Sequence, residues 1–150
     1  MVMWLFMSEK PPTYSEILAR FNFIRKKKQE YFICLSLDSG QRPIVRRTVT
    51  IGLLDTGLVH PREVFAGPIK DRAASVVVCH NHPSGDPTPS RHDIEATQQL
   101  IAAAQLLGLH LRDHIIVSKT GDYSFAAHGL IEDFFIAQNQ PQRIKDGSSG

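Results

Sequence analysis

Cysteine is scarce here: Cys34 and Cys79 are the only two in 150 residues. Two thiols do not build a disulfide framework, so the expected compartment is a reducing one, the cytoplasm. Long hydrophobic runs are missing too. Nothing approaches the roughly 20 apolar residues of a bilayer-spanning helix, so no membrane role is expected. The apolar start MVMWLFM has neither a basic flank nor a small-residue cleavage site, which argues against a signal peptide. An excess of one charge is also absent. A net charge of +2 is too small to argue for a nucleic-acid surface. The run Arg25-Lys26-Lys27-Lys28, taken with Arg42, Arg46 and Arg47, has no interleaved aromatics and reads as a solvated face.

What remains is the composition of an ordinary globular protein, 42% hydrophobic and 21% charged, long enough for one hydrophobic core. The expected organisation is an N-terminal extension over 1–12, one domain over 13–137, and a flexible polar tail over 138–150.

Thr13 and Glu16 have capping-box spacing, and Ile17, Leu18, Phe21 and Ile24 follow at helical intervals. A helix is therefore expected from about residue 14 to the basic run, whose cations would suit its C-terminal end. YFICLSL reads as a buried strand and IVRRTVTIG as its hairpin partner across DSGQ. His60-Pro61-Arg62-Glu63 starts a helix expected to be short, because Gly67 and Pro68 interrupt it. SVVVCH is a second buried strand. RHDIEATQQLIAAAQLLG is the clearest helix, with Ile94, Thr97, Ile101, Ala104 and Leu107 on one face and Gly108 at its end. LRDHIIVS, a KTGD turn and YSF suggest a closing hairpin, and GLIEDFFIAQ a last short helix. Strands interleaved with helices give a layered α/β (α+β) domain.

The chemistry concentrates in CHNHPSGDPTPSRHD, residues 79–93. Residues two apart in a strand share a face, so His80 and His82 point one way while Cys79 and Asn81 point the other. The turn PSGDPTP brings the next helix back beside the strand, with Asp93 in its first turn. Two imidazoles and a carboxylate are a hydrolytic zinc set that leaves a fourth position for water. Ser90 and Asp93 also have the spacing of a helix cap, a role compatible with metal binding because a pinned helix end holds Asp93 still. His92, about 100° away around the helix, faces solvent. Cys79 is expected to be inert core packing, and His60, His110 and His128 ordinary surface or turn residues.

His-x-His, seven residues, Ser, two residues, Asp resembles the JAMM (MPN-plus, JAB) metalloprotease motif. The stretch from HPREVF through HNHPSGDPTPS and LRDHIIVS to GDYSF is similar to the RadC-like branch of that superfamily. The resemblance implies a curved mixed sheet flanked by helices, the JAB/MPN fold, akin in layout to cytidine deaminases. It also implies zinc held by His80, His82 and Asp93, Ser90 as a hydrogen-bonding partner at the active site, and a peptide or isopeptide substrate. Such enzymes use an upstream glutamate as general base. Glu30, where the first helix meets YFICLSL, is favoured over Glu63 in HPREVF, and geometry must decide between them. Asp113-His114 matches the family's Asp-His pair and either supports a ligand imidazole or marks a strand entry. The family's association with DNA repair suggests another function, a nucleic-acid-linked accessory without peptidase activity. Many relatives carry an N-terminal helix-hairpin-helix segment, for which this chain is expected to have no room ahead of residue 13.

Overall fold

The computed structural model describes residues 10–52 and 59–141. Most of the expected N-terminal extension and C-terminal tail lies outside the described residues. Helix α1 (Tyr14–Ala19) opens with the expected capping box: Thr13 Oγ1 accepts from the Glu16 amide at 3.3 Å, and Glu16 Oε2 accepts from the Thr13 amide at 2.7 Å. The helix does not continue to the basic run. It ends at Ala19, and one 3-10 turn follows over Asn22–Ile24. The reason is packing. Phe21 and Ile24, three residues apart, are both fully buried, and the tighter 3-10 winding aims residues at that spacing the same way. The lysines therefore lie beyond the helix.

Strand β1 (Tyr31–Leu37) and strand β2 (Pro43–Ile51) form the expected hairpin. Helix α2 (Pro61–Lys70) runs straight through Gly67 and Pro68, contrary to the sequence reading. Pro68 forfeits one intrahelical donor, but it is buried, and the helix closes with Asp71 N donating to Gly67 O at 2.9 Å. Strand β3 (Ser75–Asn81), helix α3 (Arg91–Leu106), strand β4 (His110–Val117), strand β5 (Asp122–Ser124) and helix α4 (Leu130–Gln138) complete the order. Gly108, at φ 69°, sits just past the end of α3, where a left-handed residue terminates a helix most easily.

The strands make one mixed sheet in the order β2-β1-β3-β4-β5. Strands β3 and β4 are parallel, joined by the α3 crossover, and the other neighbours are antiparallel. All of β3 is buried, as the apolar run Val76–Cys79 suits in a central strand. Val76 and Val78 pack with Phe32, Leu100, Ile101 and Phe125 on the face covered by α2, α3 and α4. Val77 and Cys79 pack with Ile17, Phe21, Ile33 and Ile115 on the face covered by α1. On α3 the buried stripe runs through Asp93, Thr97, Leu100, Ile101 and Ala104. Leu107, expected on that face, is instead 48% exposed, because the helix has already ended.

Candidate metal centre

The site lies at the C-terminal end of β3, on the α3 side, where open α/β sheets characteristically place ligands. His80 is buried, its ring stacked on Phe32 with centroids 6.0 Å apart and planes at 9°. His82 stands one residue beyond the strand, and its amide prolongs the parallel ladder by donating to Val117 O at 2.9 Å. The Pro- and Gly-rich turn then folds back. His82 Nδ1 lies 2.8 Å from the Asp86 carbonyl oxygen, which can only accept. The hydrogen of that ring is therefore on Nδ1, and Nε2 presents its lone pair to the site.

Helix α3 supplies the carboxylate. Ser90 Oγ accepts from the Asp93 amide at 3.2 Å, and Asp93 Oδ2 accepts from the Ser90 amide at 2.8 Å, a reciprocal cap that pins the helix end. Asp93 Oδ1 is 3.1 Å from His80 Nε2, and Asp93 Oδ2 is 3.1 Å from His82 Nε2. The two Nε2 atoms are 3.0 Å apart. Ligands about 2.0–2.1 Å from a tetrahedral ion stand about 3.3 Å from one another, so these groups need to open only slightly to receive a metal.

The electrostatics agree with a cation-seeking cluster. Burial would raise the Asp93 carboxyl, but the His80 and His82 rings beside it and the Ser90 amide hold it below the ordinary carboxylate range. His82 is penalised by burial, yet Asp93 and the Asp86 carbonyl move it upward overall. His80 is shifted down, because complete burial outweighs the pull of Asp93.

Glu30 closes the cluster from the loop before β1. One ligand atom each from Glu30, His80 and His82 can be chosen so that all lie within 4.8 Å of one another. Glu30 Oε1 stands 3.8 Å from His80 Nε2, farther back than Asp93. The alternative, Glu63, is exposed in the first turn of α2. Among the described residues, no hydrogen bond or ion pair joins it to the histidines.

The backbone around Glu30 is fixed by Asn81, a residue the sequence reading placed only on the opposite face. Its side chain is fully buried and bonds to Tyr31 N, Lys27 O and Gln29 O. No local pattern signals this, since the partners are about fifty positions away. Thr97 lies on the α3 face that the sequence pattern makes apolar. It is a buried hydroxyl that donates to Asp93 O at 2.6 Å and lies 2.6 Å from His114 Nδ1. A lone hydroxyl four residues after the candidate ligand was the available clue.

Asp113 and His114 divide between the faces of the sheet. His114 is buried behind His80, with its Nε2 2.8 Å from His80 Nδ1. Asp113 points to the other side and holds the β5 turn through Ser124 Oγ and Ala126 N. His92 is exposed. Burial pushes the Cys34 thiol up to about 12 and the Cys79 thiol well above its ordinary value, so neither is a reactive thiolate.

The basic residues are dispersed. Arg47 pairs with Asp71, Arg42 with Asp38, and Arg25 with Asp122, while Arg46 lies over the Phe23 ring. No helix among the described residues is long and apolar enough to cross a membrane.

A family model described as the RadC-like JAB domain matches residues 12–130. A UPF0758 protein of Bacillus licheniformis is 51% identical over 104 residues, which are 69% of this chain and 45% of the relative. UPF0758 proteins of Bacillus cereus and Bacillus mycoides are 47% and 46% identical over the same shares. The chain thus spans less than half the length of these relatives.

Proposed function

Since the chain belongs to the RadC-like JAB domain family, we propose that it is a zinc-dependent hydrolase that cleaves a peptide or isopeptide amide bond with water. The observation that carries this reading is the convergence of His80 Nε2, His82 Nε2 and the Asp93 carboxylate within about 3 Å. These three groups would hold the ion, which when bound supplies a Lewis acid and lowers the pKa of water.

The protein's own residues divide the remaining work. Glu30, set back from the ligands, is the general base: its carboxylate takes a proton from the attacking water and returns it to the departing amine nitrogen. The Ser90 hydroxyl oxygen is engaged by the Asp93 amide, which leaves its hydrogen for the oxyanion of the substrate carbonyl. Ser90 is exposed, as a group meeting substrate must be. Phe32, stacked against His80, walls the inner side of the cluster with hydrocarbon.

The test begins with the metal content of purified protein, followed by peptide and isopeptide substrates assayed with and without a chelator. Stoichiometric zinc and chelator-sensitive cleavage are expected. A protein that takes up no metal, or whose cleavage ignores the chelator, would overturn the reading.

A further inference from the structure

The nitrogen of His80 that faces away from the ligand cluster meets a second buried imidazole. His80 Nδ1 and His114 Nε2 are 2.8 Å apart, and His114 Nδ1 is 2.6 Å from Thr97 Oγ1. Thr97 Oγ1 is in turn 2.6 Å from the Asp93 carbonyl oxygen. His80, His114 and Thr97 are all buried, so water does not compete for these bonds.

Such a chain has only one consistent direction. A carbonyl oxygen only accepts, so it takes the single hydroxyl proton of Thr97. The hydroxyl oxygen must then accept from His114, which places the hydrogen of that ring on Nδ1. A neutral imidazole carries one such hydrogen, so His114 Nε2 is an acceptor and His80 Nδ1 must donate to it. His80 is left with its lone pair on Nε2, the atom turned toward His82 and Asp93. The buried His114 ring has His80 and Thr97 as its hydrogen-bonding partners, with no carboxylate among the described residues against it to balance a charge, so it is neutral. Phe125, stacked on His114 at 4.9 Å with planes 10° apart, fixes the ring orientation.

We propose that Thr97 and His114 are positioning residues forming a buried relay, anchored on the Asp93 backbone carbonyl, that locks His80 in its metal-ligating tautomer. This rests on the metal-site reading above. The relay returns to the residue that supplies the third ligand, so the first turns of α3 place the carboxylate and set the imidazole tautomer together. Where His82 uses a nearby turn carbonyl for the same purpose, His80 uses a second histidine as the intermediary.

The test uses the full chain and two readouts. Long-range proton–nitrogen spectra of the metal-free protein, with the imidazoles neutral, report which nitrogen of each ring carries hydrogen. Chelator competition then measures zinc affinity. Wild type and Thr97→Ser should show hydrogen on Nδ1 of both His80 and His114. Thr97→Val, which keeps shape but removes the hydroxyl, should mix the tautomers of both rings and weaken zinc binding by about 10- to 100-fold. His114→Gln, which offers an acceptor near the former Nε2, should retain more affinity than His114→Phe. That pair decides the matter if Thr97→Val does not fold. A folded Thr97→Val protein with unchanged spectra and unchanged affinity would overturn the proposal. If the wild type shows the locked tautomers but binds no zinc, the metal-site reading fails while the relay itself stands.

Discussion

Asn81 Oδ1 accepts the Tyr31 amide at 2.7 Å, tying the strand that carries His80 to the residue that follows Glu30. The same side chain donates to the carbonyls of Lys27 at 3.3 Å and Gln29 at 3.0 Å, so one buried amide pins the loop on both sides of Glu30. Asn81→Ala leaves these backbone groups unsatisfied and should cost about 2–4 kcal/mol, read as a lower urea midpoint. Glu30 should also lose its fixed distance to the histidines. A variant as stable as wild type would show that the clamp carries little load.

Glu30→Gln should retain zinc, because it removes the base and none of the three proposed ligands. Hydrolysis should fall by about 10²–10⁴-fold, the usual contribution of a general base. Glu63→Gln should change neither quantity. Undiminished turnover in Glu30→Gln, with loss in Glu63→Gln, would reverse the assignment.

Zinc should raise thermal stability with the logarithm of its concentration, by about 2.7 kcal/mol at a hundred times the dissociation constant. His80→Ala and Asp93→Ala should abolish that increment. Asp93→Ala should in addition destabilise the metal-free protein by about 0.5–2 kcal/mol, because the same carboxylate closes the cap with Ser90. Zinc titrations followed by thermal melting separate the two effects.

Acid sensitivity should come in part from the pairing of Asp71. Its carboxylate accepts from Arg47 Nη2 at 2.6 Å and from Ser36 Oγ at 2.8 Å, with Arg47 Nη1 as a further donor. The Arg47 bonds hold its pKa below the usual carboxylate value against the opposing effect of burial. A carboxyl depressed in the folded state contributes stability above its unfolded pKa of about 3.9 and loses it as pH falls through the folded value. Asp71→Asn should therefore lower the urea midpoint near neutrality, and the gap from wild type should shrink in acid. A gap independent of pH would mean that the ionised pair contributes nothing.

Local signals were legible where the physics is local. The caps at Thr13 and Ser90 appear as expected, because each needs only a hydroxyl and an acid three residues later. The hairpin of β1 with β2 and the buried strand β3 follow from patterns of seven to nine residues. Two local rules misled. Gly67 and Pro68 do not break α2, since burial of the proline offsets its missing donor, and the first helix stops early so that Phe21 and Ile24 can both enter the core.

The sequence by itself determined how His80, His82 and Asp93 face one another. Side-chain alternation aligned His80 with His82, and a capped helix start after a tight turn returned Asp93 to them, both within fourteen consecutive residues. Only the tertiary structure decided which glutamate approaches the histidines, what clamps it, and which nitrogen of His80 faces the cluster. Those outcomes depend on Glu30, Asn81, Thr97 and His114, which come from a loop and three different elements. Hydrogen bonds between residues so far apart in the chain leave no periodic trace, because sheet register and helix packing bring them together rather than any spacing along the backbone.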